Sequence, residues 1–174
     1  MNKKQTKKNN LFSCIKKTGE KDLNNYTTTK NPNIFIVKST YHNEITNSIA
    51  FDFIDNLLSD KKNKIVVFEV PGAFEIPFTI KQILRKYSKN KQEIYILALG
   101  CIIKGQTNHD EYISSTIINA IRNLSLEYNT LIINGVLTTL SLPQAIDRSG
   151  KKFRKGKEYA EAISMMSQLI KNLK

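Results

Sequence analysis

The sequence has few of the residues on which cross-linked, metal-binding or membrane-spanning proteins depend. Its 174 residues include two Cys, two His and no Trp. Cys14 and Cys101 cannot form a disulfide framework or a multi-cysteine zinc site, and so few cysteines are typical of a reducing compartment. No apolar run approaches the roughly eighteen residues that span a bilayer, and the first thirty residues lack the apolar core of a secretory signal. We therefore expect a cytoplasmic protein with one folded domain, no metal and no membrane segment.

The net charge of +12 raises the question of a nucleic-acid partner. Half of this excess, +6, lies in residues 1–30, where eight Lys are balanced only by Glu20 and Asp22. This stretch is rich in Lys, Asn and Thr, and we predict that it is a mobile basic leader outside the core. An AT-rich genome explains the abundance of Lys, Asn and Ile equally well. We favour that explanation and expect no nucleic-acid partner.

Short apolar runs alternate with helical periodicity from residue 31 onward. Continuous apolar runs, typical of strands covered on both faces, predict four parallel strands at 33–38, 65–70, 94–99 and 131–133. Apolar residues spaced by three and four predict helices at 45–58, 73–87, 110–128, 143–148 and after residue 156. This order predicts a three-layer α/β sandwich over residues 31–174, with a four-stranded parallel sheet and right-handed crossovers.

Residues 100–112 form the most informative segment, because the third strand gives way there to a polar turn and a helix. The carboxyl end of a parallel strand is where open α/β sheets bind ligands. Gly105 lets a ligand approach the backbone, and the amides of residues 106–108 at a helix start can bind an anion. His109 comes next, and an imidazole beside an anion pocket can transfer protons near neutral pH. A helix-capping turn with a surface His is the alternative interpretation.

Other candidate residues also follow strands. Tyr41 offers an aromatic face for a flat ring, while Phe74 and Glu75 offer an apolar wall and a hydrogen-bond acceptor. Asn134 ends the fourth predicted strand. Arg148 ends a short helix and can reach the anion pocket of a neighbouring chain. Each residue taken alone is explained equally well as a loop aromatic, a core Phe, a helix-start carboxylate or a solvated helix-end charge.

Three ordered motifs resemble the signatures of the lumazine synthase family: PGAFEIP at 71–77, GCIIKGQTNH at 100–109 and GVLTTLSLPQAIDR at 135–148. The resemblance runs from about residue 33 to the last residue. It implies a flavodoxin-like fold and the condensation of 5-amino-6-(D-ribitylamino)uracil with 3,4-dihydroxy-2-butanone 4-phosphate in riboflavin biosynthesis. It also implies that no metal or organic cofactor is needed, and that the chain forms at least a pentamer. A decamer and a sixty-subunit capsid are the alternatives, and riboflavin synthase is a candidate partner.

The resemblance further implies a role for each site residue. His109 corresponds to the proton-transfer residue. Tyr41 corresponds to the aromatic residue that stacks on the pyrimidine. The positions that hold the pyrimidine and its ribityl chain are Ala73, Phe74, Glu75, Cys101, Ile102 and Ile103. The positions that bind phosphate are Gln106, Thr107 and, from the adjacent subunit, Arg148. Asn134 lies at a further substrate position, where many members have Phe and others Asn.

Two features depart from the family pattern. Gln106 replaces a small residue in the phosphate turn, where its side chain can crowd the pocket. The loop 150–156 is shortened, and Arg154 stands where Asn commonly precedes Lys-Gly. These departures leave a second hypothesis, a weakly active or inactive relative that forms shells or binds flavin. A third, DNA binding through the leader, predicts salt-sensitive binding that is lost on deletion of residues 1–30.

Overall fold

The computed structural model describes residues 23–26, 29–57, 63–87, 93–150 and 152–173. Within them lies one four-stranded sheet: β1 (Ile34–Ser39), β2 (Ile65–Val70), β3 (Tyr95–Ile103) and β4 (Leu131–Thr139). The strand order is β2-β1-β3-β4, and all three neighbouring pairs are parallel. The predicted four-stranded parallel sheet is therefore confirmed, with the order of a doubly wound fold.

In the described residues, five α-helices connect and cover the strands: α1 (Asn43–Leu57), α2 (Ile76–Tyr87), α3 (His109–Glu127), α4 (Leu142–Ser149) and α5 (Lys155–Asn172). One apolar core lies between the sheet and helices α1, α4 and α5, and a second lies between the sheet and helices α2 and α3. This confirms the three-layer arrangement. In the described parts of the chain, no helix has the length and apolarity that crossing a bilayer requires.

Strand β1, one of the two inner strands of the sheet, shows why its apolar run is continuous. Ile34 and Ile36 are buried in the first core, whereas Phe35 and Val37 are buried in the second. Successive side chains of a strand point to opposite faces, so a strand covered on both sides needs apolar residues at every position. Each such side chain stabilises the fold by about 1.5–3 kcal/mol relative to exposure.

The third and fourth strands are longer than the sequence predicted. Predicted to end at residues 99 and 133, they continue to Ile103 and Thr139, and their register runs to the pair Ile103 and Thr139. The extension of β4 contains Asn134 and Gly135, which interrupt the apolar run that marked the strand. A Cβ on Gly135 would lie 2.8 Å from the carbonyl oxygen of Ala98, so this position has no room for a side chain. Backbone pairing with β3, rather than side-chain pattern, fixes this part of β4.

The folded part of the chain begins before residue 31. Leu23–Tyr26 form a 3₁₀ turn, in which Leu23 is buried and Tyr26 packs against the first core. Two apolar side chains within a polar stretch therefore suffice to attach this turn to the fold, although we predicted that all of residues 1–30 lie outside the core. Residues 1–22, which carry most of the predicted leader, are outside the described residues.

Candidate active site

A pocket of about 400 Å³ lies where strands β1, β2 and β3 end. Eight of the twelve predicted site residues line it: Tyr41, Ala73, Phe74, Cys101, Ile102, Ile103, Thr107 and His109. Parallel strands present their carboxyl ends at one edge of the sheet, which is why segments far apart in sequence meet there. The other four predicted residues, Glu75, Gln106, Asn134 and Arg148, are not among those that line the pocket.

Tyr41 lies in a short loop between β1 and α1. The loop is attached to the end of β2, because the Tyr41 amide donates to the Pro71 carbonyl oxygen at 3.2 Å and the Thr40 amide donates to that of Val70 at 2.8 Å. His42 follows with a φ of 56°, the left-handed conformation that turns the chain into the helix. The Tyr41 side chain is 67% exposed. Its ring is therefore held on a fixed backbone yet open to a ligand.

The 3₁₀ turn after β2, Ala73–Glu75, forms the opposite wall of the pocket. Phe74 projects from it with 61% of its side chain exposed. The carboxylate of Glu75 accepts a hydrogen bond from the Gly72 amide at 2.9 Å, so it caps its own turn. This contact shows the helix-start role that the sequence left open for Glu75, and it orders the backbone that carries Phe74.

The end of β3 forms the floor of the pocket. Cys101 is buried there, while Ile102 and Ile103 are half-buried. Burial raises the pKa of the Cys101 thiol to about 12. Its sulfur is therefore protonated at neutral pH, and a thiol of this kind is a poor nucleophile. Cys101 contributes shape and backbone to the pocket rather than covalent chemistry.

Beyond the floor, a turn leads into α3, the first residue of which is His109. The Lys104 amide donates to the Thr139 carbonyl oxygen at 2.8 Å, which continues the pairing with β4 up to the turn. Thr107 and His109 both line the pocket, and the Thr107 hydroxyl oxygen lies 3.5 Å from the His109 amide nitrogen. Within one chain, His109 and the turn that is predicted to bind an anion therefore border the same pocket. Gln106 is exposed and outside the pocket lining, so its side chain does not crowd the pocket.

Asp110 also lines the pocket, although the sequence pattern did not single it out. Its carboxylate accepts a hydrogen bond from the Gly105 amide at 3.2 Å. An acidic residue in the first turn of a helix is ordinarily explained by the helix dipole, so the sequence pattern alone gave no sign that Asp110 faces a ligand pocket. The carboxylate thus holds the Gly105 amide, which directly precedes the amides of residues 106–108 that are predicted to bind an anion.

Arg148 and Asn134 lie away from this pocket. Arg148 is on α4, which packs on the opposite face of the sheet from α3. Its guanidinium donates to the Gln144 carbonyl oxygen at 3.0 Å and lies 5.8 Å from the centre of the Phe153 ring. Asn134 is exposed on β4, where its side-chain oxygen accepts from the Val136 amide at 3.2 Å. A single chain therefore does not bring these two residues to His109.

The described residues offer no cluster of three or more His, Cys, Asp or Glu side chains that could hold a metal ion. The polar groups of the pocket are instead two imidazoles, one carboxylate, two hydroxyls and the amides at the start of α3; the side chains belong to His42, His109, Asp110, Tyr41 and Thr107. Such a set suits proton transfer and anion binding beside a flat apolar wall.

The sheet order and the pocket at the strand ends define a flavodoxin-like α/β protein with a small-molecule-sized pocket at the carboxyl edge of its sheet. The sequence model of the 6,7-dimethyl-8-ribityllumazine synthase family matches residues 31–171. The chain belongs to this family of transferases of riboflavin biosynthesis.

Curated relatives agree with this assignment. Over 154 residues the chain is 35% identical to the 6,7-dimethyl-8-ribityllumazine synthase of Prochlorococcus marinus (strain AS9601). The alignment covers 85% of this chain and 95% of the relative. The protein of the same name from strain MIT 9515 is 34% identical with the same coverage. That from strain MIT 9215 is 37% identical over 144 residues, which is 79% of this chain and 89% of the relative.

Proposed function

We propose that the pocket at the ends of β1, β2 and β3 is where this enzyme condenses 5-amino-6-(D-ribitylamino)uracil with 3,4-dihydroxy-2-butanone 4-phosphate. The observation that carries the proposal is the shared pocket of Tyr41, Thr107 and His109. It places an open aromatic ring, the start of a helix and an imidazole around one space of about 400 Å³. Such a space is within the usual range for small-molecule sites.

The pyrimidine would lie against Tyr41, whose exposed ring provides a stacking surface. Phe74 and Ala73 would close the opposite side, with the nearby Glu75 as an acceptor for ribityl hydroxyls. The backbone of Cys101, Ile102 and Ile103 at the floor would pair with the polar edge of the ring. These groups orient the exocyclic amine for attack, which is much of what a condensation of two bound substrates needs.

The phosphate of the second substrate would bind at the start of α3. The amides of Gln106 and Thr107 lie in the turn before the first helical residue, where the partial positive charge of a helix favours an anion. Arg148 of an adjacent subunit would add a guanidinium fork, which is suited to phosphate oxygens. Asn134 would come from the same neighbouring chain.

His109 would carry the proton transfers. Attack of the amine on the ketone carbonyl forms a carbinolamine, which loses water to give an imine. Removal of a proton next to the imine lets the phosphate leave with the electron pair of its C–O bond, and ring closure with loss of a second water completes the product. The imidazole of His109, beside the phosphate turn, is placed to accept and return protons in these steps.

A complete site would need a second chain, and we infer a closed homo-oligomer of at least five subunits. Two observations support it: Arg148 lies on the face of the sheet opposite α3, and several large apolar side chains are exposed. The exposed apolar residues include Tyr112, Leu126, Leu140, Phe153 and Met165. Exposed apolar surface of this kind is typical of subunit interfaces. A decamer and a sixty-subunit capsid are the alternative assemblies, riboflavin synthase is a candidate partner, and the cytoplasm is the expected compartment.

Turnover of the two substrates, followed by absorbance of the lumazine product, tests the proposal. His109→Ala should lower kcat on the order of 10²-fold, because general acid–base groups typically contribute at least that much. Light scattering should show unchanged assembly, since His109 is exposed. Ser115→Ala, an exposed position on the same helix, is the matched control and should leave kcat unchanged. A wild-type enzyme without turnover would support the inactive-relative hypothesis instead, and an unchanged His109→Ala variant would refute the role of the imidazole.

A further inference from the structure

Lys38 is a buried charge that the proposed reaction does not use. It follows four apolar residues in strand β1, and its side chain is 0% exposed. An ammonium in a protein interior is costly unless it is paired and hydrogen-bonded. A charge at this position therefore calls for partners close by.

The partners of Lys38 are present on two different elements. Its ammonium lies 2.8 Å from a carboxylate oxygen of Glu69 and donates to the side-chain oxygen of Asn43 at 2.7 Å. Glu69 is the register partner of Lys38 on β2, so backbone pairing holds these two residues side by side. Asn43 is the first residue of α1. Burial lowers the pKa of Lys38, whereas the hydrogen bond and the negative charge of Glu69 raise it.

These contacts enclose the loop that carries Tyr41. On the N-terminal side of the loop, the amides of Thr40 and Tyr41 donate to the carbonyl oxygens of Val70 and Pro71 at the end of β2. On the C-terminal side of the loop, the Lys38 ammonium donates to the side-chain oxygen of Asn43, the first residue of α1. The Thr46 hydroxyl donates to the Ser39 carbonyl oxygen at 2.9 Å, a second link between helix and strand. The loop between these two attachments contains only residues 40–42, two of which line the pocket.

We propose that Lys38 is a positioning residue that, held by Glu69, anchors Asn43 and thereby sets the Tyr41 ring against the pyrimidine substrate. This proposal rests on the proposed function of the pocket. Without the anchor, the loop would have to be ordered when the substrate binds. Ordering the backbone of a single residue costs about 1–2 kcal/mol, which corresponds to roughly a tenfold loss of affinity. The reacting groups at His109 would be unchanged.

An ion pair that serves only to neutralise the buried Lys38 predicts a different result. Its disruption would lower thermal stability and the fraction of active enzyme, and it would affect both substrates alike. A positioning role predicts a higher KM for the pyrimidine, with kcat and the KM for the phosphate substrate little changed. The two roles therefore differ in which kinetic parameter moves.

Asn43→Ala is the sharpest test, because it removes the contact to the loop while leaving the Lys38–Glu69 pair intact. In the assembled enzyme we expect a pyrimidine KM about tenfold higher, with kcat and the other KM within about twofold. Asn43→Asp should restore the wild-type KM, since a carboxylate accepts the same hydrogen bond from the ammonium. An unchanged pyrimidine KM in Asn43→Ala, or an equal rise for both substrates, would overturn the positioning role. So would failure of Asn43→Asp to restore it.

A double variant, Lys38→Met with Glu69→Gln, removes both charges together and avoids leaving one unpaired in the interior. It should show the same rise in pyrimidine KM as Asn43→Ala, and a wild-type value would count against the proposal. The wild-type enzyme in the same assay separates the two levels of inference. If it does not turn over, the proposed function fails. If it turns over and the variants match it, only the role of Lys38 fails.

Discussion

At the scale of single residues, the start of α3 carries two neighbours of different chemistry, His109 and Asp110. In the proposed site the helix start would favour a bound phosphate, whereas the carboxylate of Asp110 would oppose it. Asp110 already accepts the amide of Gly105 at 3.2 Å, so a phosphate that approaches this amide must displace it. This hydrogen bond links the turn to the start of α3, and the negative charge that it places there would oppose a bound anion.

Asp110→Asn should therefore lower the KM for the phosphate substrate. The amide side chain can still accept from Gly105, but it carries no charge, and a charge interaction near the surface is worth about 0.2–1 kcal/mol. We expect a decrease of roughly two- to fivefold in steady-state kinetics, with the pyrimidine KM unchanged.

Glu111→Gln is the matched control for this experiment. Glu111 is the next acidic residue of the same helix turn, it is exposed, and it lies 3.7 Å from Lys104 rather than in the pocket lining. Its substitution should leave the KM for the phosphate substrate close to that of the wild type. A higher KM in Asp110→Asn would show that order in the turn outweighs charge repulsion.

At the scale of helices and strands, α1 and α5 pack closely around Gly156. A Cβ at this position would lie 2.5 Å from the Ile49 carbonyl oxygen and 2.7 Å from the Phe53 amide nitrogen. The carboxylate of Asp52 on α1 accepts from the Lys157 amide at 2.9 Å and from the Arg154 guanidinium at 2.6 Å. Arg154 has a left-handed φ of 43°, and its bond to Asp52 accompanies that conformation. The shortened loop thus ends in a helix start that α1 caps.

Gly156→Ala should destabilise the protein, because the new methyl group meets backbone atoms that cannot move separately. Overpacking of this kind costs about 1–3 kcal/mol. A lower thermal unfolding midpoint would report the effect. Gly105→Ala provides the comparison, since a Cβ there would meet no atom within 4 Å and its φ is not positive. Equal midpoints for the two variants would contradict the close packing of α1 on α5.

The sequence predicted the three layers and the alternation of strands and helices along the chain. It did not predict where β3 and β4 end. Apolar runs reveal strands with two buried faces, and β1 is such a strand. The polar end of β4 is held by pairing with β3, an interaction between distant segments that no local pattern contains. The pocket residues at strand ends could be predicted because each follows a recognisable apolar run. The orientation of Asp110 toward the pocket and the partners of Lys38 could not, because both depend on contacts outside any local pattern.

At the scale of the whole molecule, the separation of Arg148 from His109 determines what one chain can do. The two residues lie on helices that cover opposite faces of the sheet. In a ring of subunits, a head-to-tail interface brings different surfaces of neighbouring chains together. One site per interface would then combine the His109 side of one chain with the Arg148 side of the next.

Arg148→Ala should raise the KM for the phosphate substrate about 10- to 100-fold, because hydrogen bonds to charged groups contribute about 1.5–3 kcal/mol.

Co-assembly of this variant with His109→Ala distinguishes shared sites from sites within one chain. In a randomly mixed ring, about a quarter of the interfaces would join an intact His109 to an intact Arg148. At a concentration of the phosphate substrate well below the raised KM of Arg148→Ala, activity in an equimolar mixed assembly should rise toward a quarter of the wild-type value. Activity no greater than the average of the two parents would show that the site is not shared.

The pairing of β3 with β4, which continues through the Lys104 amide, has one further consequence for this enzyme. The base of the pocket is part of a regular sheet, whereas its rim consists of loops and the tip of a helix. Substitutions that adapt the enzyme to another heterocycle or another phosphorylated ketone would therefore occur mainly at rim positions such as Tyr41, Phe74 and Asp110. The paired strands at the base of the pocket would stay the same, so related proteins could differ in substrate while sharing one sheet.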